Sequence, residues 1–232
     1  MSQPAGRMQN KIHRLDVAQA QQRIWQDCIP ITEYEMITVR DGLHRVLAEP
    51  IRSPINVPAH TNSAVDGYAI SHQDIAAQGP RRLKVIGTAR AGHPFSGELT
   101  SGQAVRIMTG AVLPAGAATV IMQEQVQVAG DLIEIDSHGR AGDNVRQAGE
   151  DLARGSIALA QGKRLLPADI GLLASLGINE IKVFRRLRVA FFSTGDELRS
   201  LGEPLGQGEI YDSNRYTLLA MLKALDLSLI HI

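Results

Sequence analysis

The chain has 232 residues, in which 24 lysines and arginines balance 24 aspartates and glutamates. Its hydrophobic fraction of 44% with 21% charged residues excludes an intrinsically disordered chain, and its zero net charge argues against a general electrostatic surface for nucleic acid. A lone cysteine, Cys28, excludes an internal disulfide and favours a reducing compartment. The longest nearly apolar run, residues 170–178, has about half the length of a membrane span, so we predict a soluble cytoplasmic protein with no membrane partner.

The first predicted element is a helix that begins after Asp16, behind a polar arm over residues 1–13. Asp16 is a suitable N-cap, and Pro30 ends the helix. The apolar positions at helical spacing are Val17, Ala20, Ile24 and Cys28. After an extended segment at residues 36–39, a second, brief helix is predicted at Asp41. Its apolar face consists of Leu43, Val46 and Leu47.

From residue 54 onward, proline and glycine separate short apolar runs, a pattern typical of an all-β region. Residues 126–128 and 132–135 flank Ala129-Gly130-Asp131 and predict a hairpin.

Helix and strand return near residue 155. A helix is predicted to begin at Pro167 and to close at Gly177. Residues 188–192 form a predicted buried strand, followed by a polar loop at 193–197 and a helix at 216–225 with its leucines inward. This order is the beginning of a parallel α/β domain, which needs several more such units, so we expect the chain to be a fragment.

The last six residues, 227–232, have two interpretations. The sequence Leu-Ser-Leu-Ile-His-Ile is apolar enough for a second strand, and it also matches the conceptual translation of a transposase adapter used in sequencing libraries. The match favours a foreign tail over a strand.

Two stretches of the all-β region carry residues suited to chemistry. Asp66, within residues 62–69, can orient a metal-bound water or act as a base, although an Asp-Gly turn entering a strand explains the same pattern. Thr109, beside Gly110, can present a hydroxyl and backbone N–H groups to an oxyanion, or can simply end a strand.

Two further polar stretches lie near the C-terminal helix. In residues 193–197, hydroxyls can donate to a phosphate and carboxylates can hold Mg²⁺, or the segment can be a helix cap without a ligand. Residues 210–215 contain natural cap residues. Arg146 with Glu150 and Asp151 predicts a surface ion pair.

Motifs for several other chemistries are missing from the sequence. It contains no zinc-ligand spacing, no nucleophile elbow, no Walker A loop and no dinucleotide-binding fingerprint. Four Phe, four Tyr and one Trp leave no aromatic platform for single-stranded nucleic acid. The residues by themselves therefore indicate oxygen-rich loops suited to a hard cation and a phosphate-bearing ligand.

Taken together and in order, these stretches resemble one family, the molybdopterin molybdenumtransferases of the MoeA type, shared with the E domain of gephyrin. The visible departure is Val65, where the family usually has Met, and the swap keeps an apolar group. The matching residues are 57–58, 62–69, 106–111, 120–124, 146–151, 174–178, 192–198 and 210–215.

The resemblance implies a multidomain α+β subunit. Its N-terminal region, residues 14–180, would consist of a split domain (30–58 and 140–180) around an inserted, mainly β domain (59–139). Residues 181–232 would be the incomplete beginning of a Rossmann-like α/β domain that binds molybdopterin.

The resemblance also implies a reaction, the Mg²⁺-dependent insertion of molybdate into adenylylated molybdopterin with release of AMP. The implied catalytic residues are Asp66, Thr109 and Glu197. The implied substrate-binding residues are Asn62, Ser63, Ser193, Thr194, Asp212 and Asn214. The implied ligands of Mg²⁺ are Asp196 and Glu197.

The implied partners are a second copy of the chain, in a homodimer whose active sites draw on both subunits, and molybdopterin adenylyltransferase as a pathway partner. We expect the 232-residue chain itself to be inactive, because the family's later domains are missing from it. The alternative is a non-catalytic molybdopterin-binding or scaffolding module, which has no need of acidic residues at 66 and 197. Membership among the adenylyltransferases is disfavoured, since these lack the segments at 57–151.

Overall fold

The computed structural model describes residues 15–75, 79–136 and 139–231, and for residues 228–231 it describes the backbone alone. The described residues form two compact units. The larger unit is Met36–Val183, and the smaller one combines the residues before Met36 with those after Val183. Both helices and strands are present, and strands predominate.

The described residues form four helices and sixteen strands. The helices are α1 (Val17–Asp27), α2 (His72–Ile75), α3 (Pro167–Ser175) and α4 (Ser213–Ala224). The strands are β1 (Tyr34–Thr38), β2 (Ile51–Arg52), β3 (Asn62–Ser63), β4 (Gly67–Ser71), β5 (Arg81–Ala89), β6 (Gln103–Ile107), β7 (Ala117–Met122), β8 (Val126–Ala129), β9 (Leu132–Ile135), β10 (Val145–Arg146), β11 (Ile157–Leu159), β12 (Glu180–Phe184), β13 (Arg188–Phe191), β14 (Leu198–Arg199), β15 (Ile210–Tyr211) and β16 (Ser228–His231).

A six-stranded sheet is the largest sheet of the larger unit. Its strand order is β7-β4-β6-β5-β9-β8, in which β5 and β6 are parallel and the other neighbours are antiparallel. Every residue of β4 is buried, because one core cluster includes Tyr68 and Ile70 and a second includes Ala69. The predicted β region and its hairpin at β8 and β9 are confirmed, with Gly130 at a φ of +65° in the turn.

A separate core in the same unit joins the residues before the sheet to those after it. Leu47, Leu165 and Leu173 are fully buried there, and β2 pairs with β11 across a long stretch of chain. The predicted helix at Pro167 is confirmed as α3, and Gly177 follows its end with a φ of +72°. The domain boundaries given above stay predictions.

The helix predicted after Asp41 is wrong. Val39–Asp41 is a single 3₁₀ turn, and Leu47 then donates from its backbone N–H to the carbonyl of Lys163 at 3.0 Å. Val46 and Leu47 form isolated β-bridges to Arg164 and Val183, so partners more than 100 positions away supply hydrogen bonds that a local helix would have supplied.

The smaller unit contains the predicted first helix. Asp16 caps α1 by accepting a hydrogen bond from the backbone N–H of Gln19 at 2.8 Å, as predicted. No residue of α1 is buried, and its Trp25 is 76% exposed. No described helix combines the length and the apolar character that crossing a bilayer requires.

Strand β16 contradicts the expectation that the chain's last residues form no strand, whereas their foreign origin stays a prediction. Its backbone pairs in parallel with β13, from Arg188 opposite Ser228 to Phe191 opposite His231. Backbone hydrogen bonds are available to any non-proline segment that reaches a strand edge, so an apolar tail can take this position whatever its origin.

Helix α4 begins at Ser213 rather than at residue 216, because Asp212 caps it by accepting from the backbone N–H of Arg215 at 3.0 Å. The prediction that the leucines of this helix face inward is wrong in part, since Leu218 is 47% and Leu225 is 62% exposed. The strand pair of β13 and β16 is about 5 Å wide, whereas a helix with its side chains is about 10 Å across. The two strands therefore cover only part of the surface of α4.

Candidate functional site

Asp66 and Thr109 meet at one end of the six-stranded sheet. Asp66 comes directly before β4 and Thr109 follows β6, and in an antiparallel pair the beginning of one strand lies beside the end of the other. The Asp66 Oδ1 accepts two hydrogen bonds from Thr109, one from the backbone N–H and one from the hydroxyl, each at 2.7 Å. The structure thus brings together two predicted catalytic residues that are 43 positions apart in the sequence.

These contacts lower the pKa of Asp66. The backbone N–H of Thr109, then its hydroxyl, hold the pKa of Asp66 below its ordinary value of 3.8, and the charge of Arg106 acts in the same direction. The carboxylate is therefore ionised at neutral pH and is a weak general base there. Within the described residues both hydrogen bonds use Oδ1, so Oδ2 keeps its capacity to accept from a ligand or to face a cation.

The oxyanion role predicted for Thr109 does not hold in this conformation. Its hydroxyl proton and its backbone N–H both point to Asp66, so neither is available to an anion. Toward a ligand, the Asp66–Thr109 pair presents acceptor oxygens. Such a pair suits water, a protonated oxygen or a cation better than a fully ionised oxyanion.

The loop that carries Thr109 is held by β3. The backbone N–H of Gly110 donates to the carbonyl of Ser63 at 2.8 Å, and that of Ser63 donates to Ala111 at 3.0 Å. The hydroxyl of Ser63 is buried and donates to the carbonyl of Val65 at 2.6 Å, so here it stabilises the turn before Asp66. Substrate binding by Ser63 and by the half-buried Asn62 stays a prediction.

Gly67 is needed for a reason that its Asp-Gly sequence does not indicate. The sequence suggests a glycine with unusual backbone angles, but Gly67 is not among the glycines with positive φ. A Cβ at this position would lie 2.0 Å from the carbonyl oxygen of Ile121 in β7. Strand β7 therefore leaves no room for a side chain at position 67, directly after Asp66.

In the smaller unit, the predicted site residues Ser193 and Asp212 line a cleft of about 210 Å³ together with Arg199 and Arg215. Ser193 follows β13, and Asp212 caps α4. A hydrogen bond from the Ser193 hydroxyl lowers the pKa of Asp212, followed in effect by the backbone N–H and the charge of Arg215. Thr194 and Asn214 are exposed nearby in sequence, and their roles stay predictions.

Asp196 and Glu197 are exposed in the loop between β13 and β14. The carboxylate of Glu197 lies over Gly195, where a Cβ would be 2.6 and 2.7 Å from its two oxygens. The loop is anchored to β15, since Ile210 donates to the carbonyl of Glu197 at 2.8 Å. In the part of the chain that the structure describes, no three His, Cys, Asp or Glu side chains come together as a metal site.

The larger unit contains two further polar clusters. The predicted ion pair is confirmed, with Arg146 at 2.5 Å from Asp151 and 3.4 Å from Glu150. Sequence reasoning missed Asp74, whose carboxylate is buried. The available signal was its spacing from Ser71, since Ser-x-x-Asp is a common arrangement in which the two side chains cap a turn.

Comparisons with known proteins agree with one another. Residues 15–177 match the family model of the MoeA N-terminal region (domain I and II). The molybdopterin molybdenumtransferase of Haemophilus influenzae is 44% identical over 212 residues, which are 91% of this chain and 52% of the relative. The Nostoc protein of the same name is 41% identical over 182 residues, covering 77% and 42%.

A solved structure is also similar, that of a molybdopterin biosynthesis MoeA protein from Pyrococcus horikoshii. It has a TM-score of 0.82 and 36% identity and covers 90% of this chain and 54% of that protein. The chain thus spans about half the length of the curated relatives it matches.

Proposed function

Since this chain belongs to the family of the MoeA N-terminal region, we propose that it is part of a molybdopterin molybdenumtransferase of molybdenum cofactor biosynthesis. The proposed reaction inserts molybdate into adenylylated molybdopterin and releases AMP. The two relatives described above carry that enzyme's name, and the Asp66–Thr109 pair gives this chain a built polar site.

One observation carries the proposal, the ionised Asp66 carboxylate that both donors of Thr109 fix at 2.7 Å. A carboxylate held this way does not need to reorganise when substrate binds. Asp66 orients a proton-bearing oxygen, either a water or a protonated oxygen of molybdate, by accepting its hydrogen on Oδ2. Thr109 keeps the carboxylate ionised and at a fixed angle.

Mg²⁺ is the implied metal, and the residues of the 193–197 loop fit it. Asp196 and Glu197 provide exposed carboxylate oxygens, and Mg²⁺ usually binds to one or two carboxylates plus the phosphates of its substrate rather than to a full protein cage. When bound, the ion neutralises charge that develops on the phosphoanhydride. The hydrogen bond from Ser193 to Asp212 connects the beginning of this loop to the N-terminal cap of α4.

The proposal extends to architecture and partners. The parallel β13 and β16 with α4 between them would begin a Rossmann-like domain that binds molybdopterin. A homodimer with shared active sites is proposed from the family. Molybdopterin adenylyltransferase would supply the adenylylated substrate, and the cytoplasm would be the location.

A chimera tests the function, because the chain spans about half of its relatives. The aligned 212-residue segment replaces that of the Haemophilus influenzae relative, and molybdate-dependent AMP release from adenylylated molybdopterin is measured. Asp66→Asn should reduce this release by roughly 100-fold, the scale for losing a preorganised polar group.

Asp131→Asn is the matched control. Asp131 lies in the hairpin turn of the same sheet, its side chain is 70% exposed, and its nearest cation, Lys84, is 3.9 Å away. Equal AMP release by the Asp66→Asn and Asp131→Asn chimeras would remove Asp66 from the reaction. A chimera that binds adenylylated molybdopterin but releases no AMP in any form would favour the non-catalytic alternative.

A further inference from the structure

Asp74 in α2 is a buried carboxylate to which the proposed reaction gives no role. Its side chain has 0% exposure. Its Oδ2 accepts from the hydroxyl of Ser71 at 2.7 Å, and its Oδ1 accepts from the hydroxyl of Ser101 at 2.9 Å. The backbone N–H of Gly102 lies 3.1 and 3.2 Å from the two oxygens. A carboxyl group buried this deeply is tolerated because these donors replace water around it.

The donors come from three strands of the sheet. Ser71 is the last residue of β4, whereas Ser101 and Gly102 form the turn that leads into β6. Arg81, the first residue of β5, places Nη1 at 3.5 Å from Oδ1. Asp74 therefore links the end of β4 to the beginnings of β5 and β6.

The opposite end of the same strand pair holds the candidate catalytic residues. The register of β4 and β6 runs from Gly67 opposite Ile107 to Ile70 opposite Ala104. Because a strand rises about 3.3 Å per residue, Asp66 and Ser71, five positions apart along this strand, are separated by about 16 Å. Asp74 is thus too far away to touch Asp66 and can affect it only through the position of the strands.

The burial pattern by itself specifies the register of β6 along β4 only weakly. All five residues of β4 are buried, so a slip of two residues along β6 keeps each side chain on its own face. Thr109 and its contact with Asp66 are exposed, so water competes for that contact, whereas the bonds that the fully buried Asp74 carboxylate accepts from Ser101 and Gly102 are partly buried and less open to water. The stronger polar anchor is therefore the one at Asp74.

We propose that Asp74 is a positioning residue, which fixes β6 along β4 so that Thr109 reaches Asp66. Its importance for catalysis rests on the proposed function, which assigns the chemistry to that pair. The positional claim stands on geometry alone and has a readout that needs no activity.

The test uses the full 232-residue chain and the backbone amide of Thr109, followed by NMR at neutral pH. Ser101→Ala removes the side-chain donor that ties Asp74 to the turn before β6 and leaves the Gly102 N–H in place. Ser71→Ala is its matched control, because Ser71 lies on the same strand end as Asp74. Ser101→Ala and Asp74→Asn should speed hydrogen exchange at Thr109 by about tenfold, the effect of losing one hydrogen bond to a charged group. The amides of Ala69 and Val105 in the middle of the pair should stay protected.

Ser71→Ala should leave exchange at Thr109 within about twofold of the parent chain, because the local bond does not connect the strands. Unchanged exchange at Thr109 in Ser101→Ala, or equal effects of the two serine variants, would overturn the positioning role and leave Asp74 as a purely local cap. A positive result in a protein whose chimera releases no AMP would keep the positioning role and refute the proposed function. Normal AMP release by the chimera, with hydrogen exchange at Thr109 unchanged in the variants, would keep the proposed function and refute the positioning role.

Discussion

Replacing Gly67 with alanine tests how closely β4 and β7 approach beside the site. The added Cβ would lie 2.0 Å from the carbonyl oxygen of Ile121, so the strands must separate by about 1 Å to reach even a tight contact. Hydrogen bonds of about 2.9 Å would then lengthen beyond bonding range. Gly67 lies opposite Met122 and Tyr68 lies opposite Ile121, and one of two such successive antiparallel pairs exchanges two ladder hydrogen bonds. At about 1–3 kcal/mol for each buried group left unpaired, Gly67→Ala should lower the free energy of unfolding by about 2–6 kcal/mol.

Urea denaturation followed by far-UV circular dichroism measures this change. Fluorescence is unsuitable, since the single tryptophan, Trp25, is exposed and belongs to the other unit. Gly171→Ala is the matched control, because it lies within α3 with open space around its Cα, and alanine there should stabilise by about 0.5–1 kcal/mol. A Gly67→Ala chain with a urea midpoint equal to that of the parent would refute the steric argument.

Two more predictions concern charges and caps. Because the folded-state pKa of Asp66 is lowered, its ionised form stabilises the fold fully above pH 3.8, and this contribution is lost as pH falls through the folded-state pKa. The stability difference between the parent chain and Asp66→Asn should therefore shrink on acidification, and a difference that grows below pH 3.8 would show that the sign is wrong. Asp16→Ala should speed hydrogen exchange at the amide of Gln19 by about fivefold, the typical effect of losing an N-cap. Asp27→Ala, at the other end of α1, serves as its control and should leave that amide unchanged.

Local signals in the sequence were enough for the elements that neighbouring residues specify. Asp16 caps α1 through a bond that spans three positions, and Gly130 turns the hairpin with a positive φ. Pro167 begins α3 for the same kind of reason, because its missing N–H is not needed in a first helical turn. The ordered motifs also identified the family, since each is a short, contiguous run of residues.

The failures came from hydrogen bonds between distant residues. Leu47 has helical spacing with Leu43, but partners near residues 163 and 183 draw it into β-bridges. The tail at β16 was disfavoured as a strand, although any segment that reaches the edge of β13 can pair there.

The sequence was sufficient to propose Asp66 and Thr109 as site residues, because residue type and local order suggest both. The tertiary structure decided what they do together. Only the pairing of β4 with β6 brings the two donors of Thr109 onto one oxygen of Asp66, which lowers the pKa of that carboxylate and occupies both donors of Thr109. Periodicity reports which face of a strand is buried, whereas the register between strands depends on contacts between distant residues.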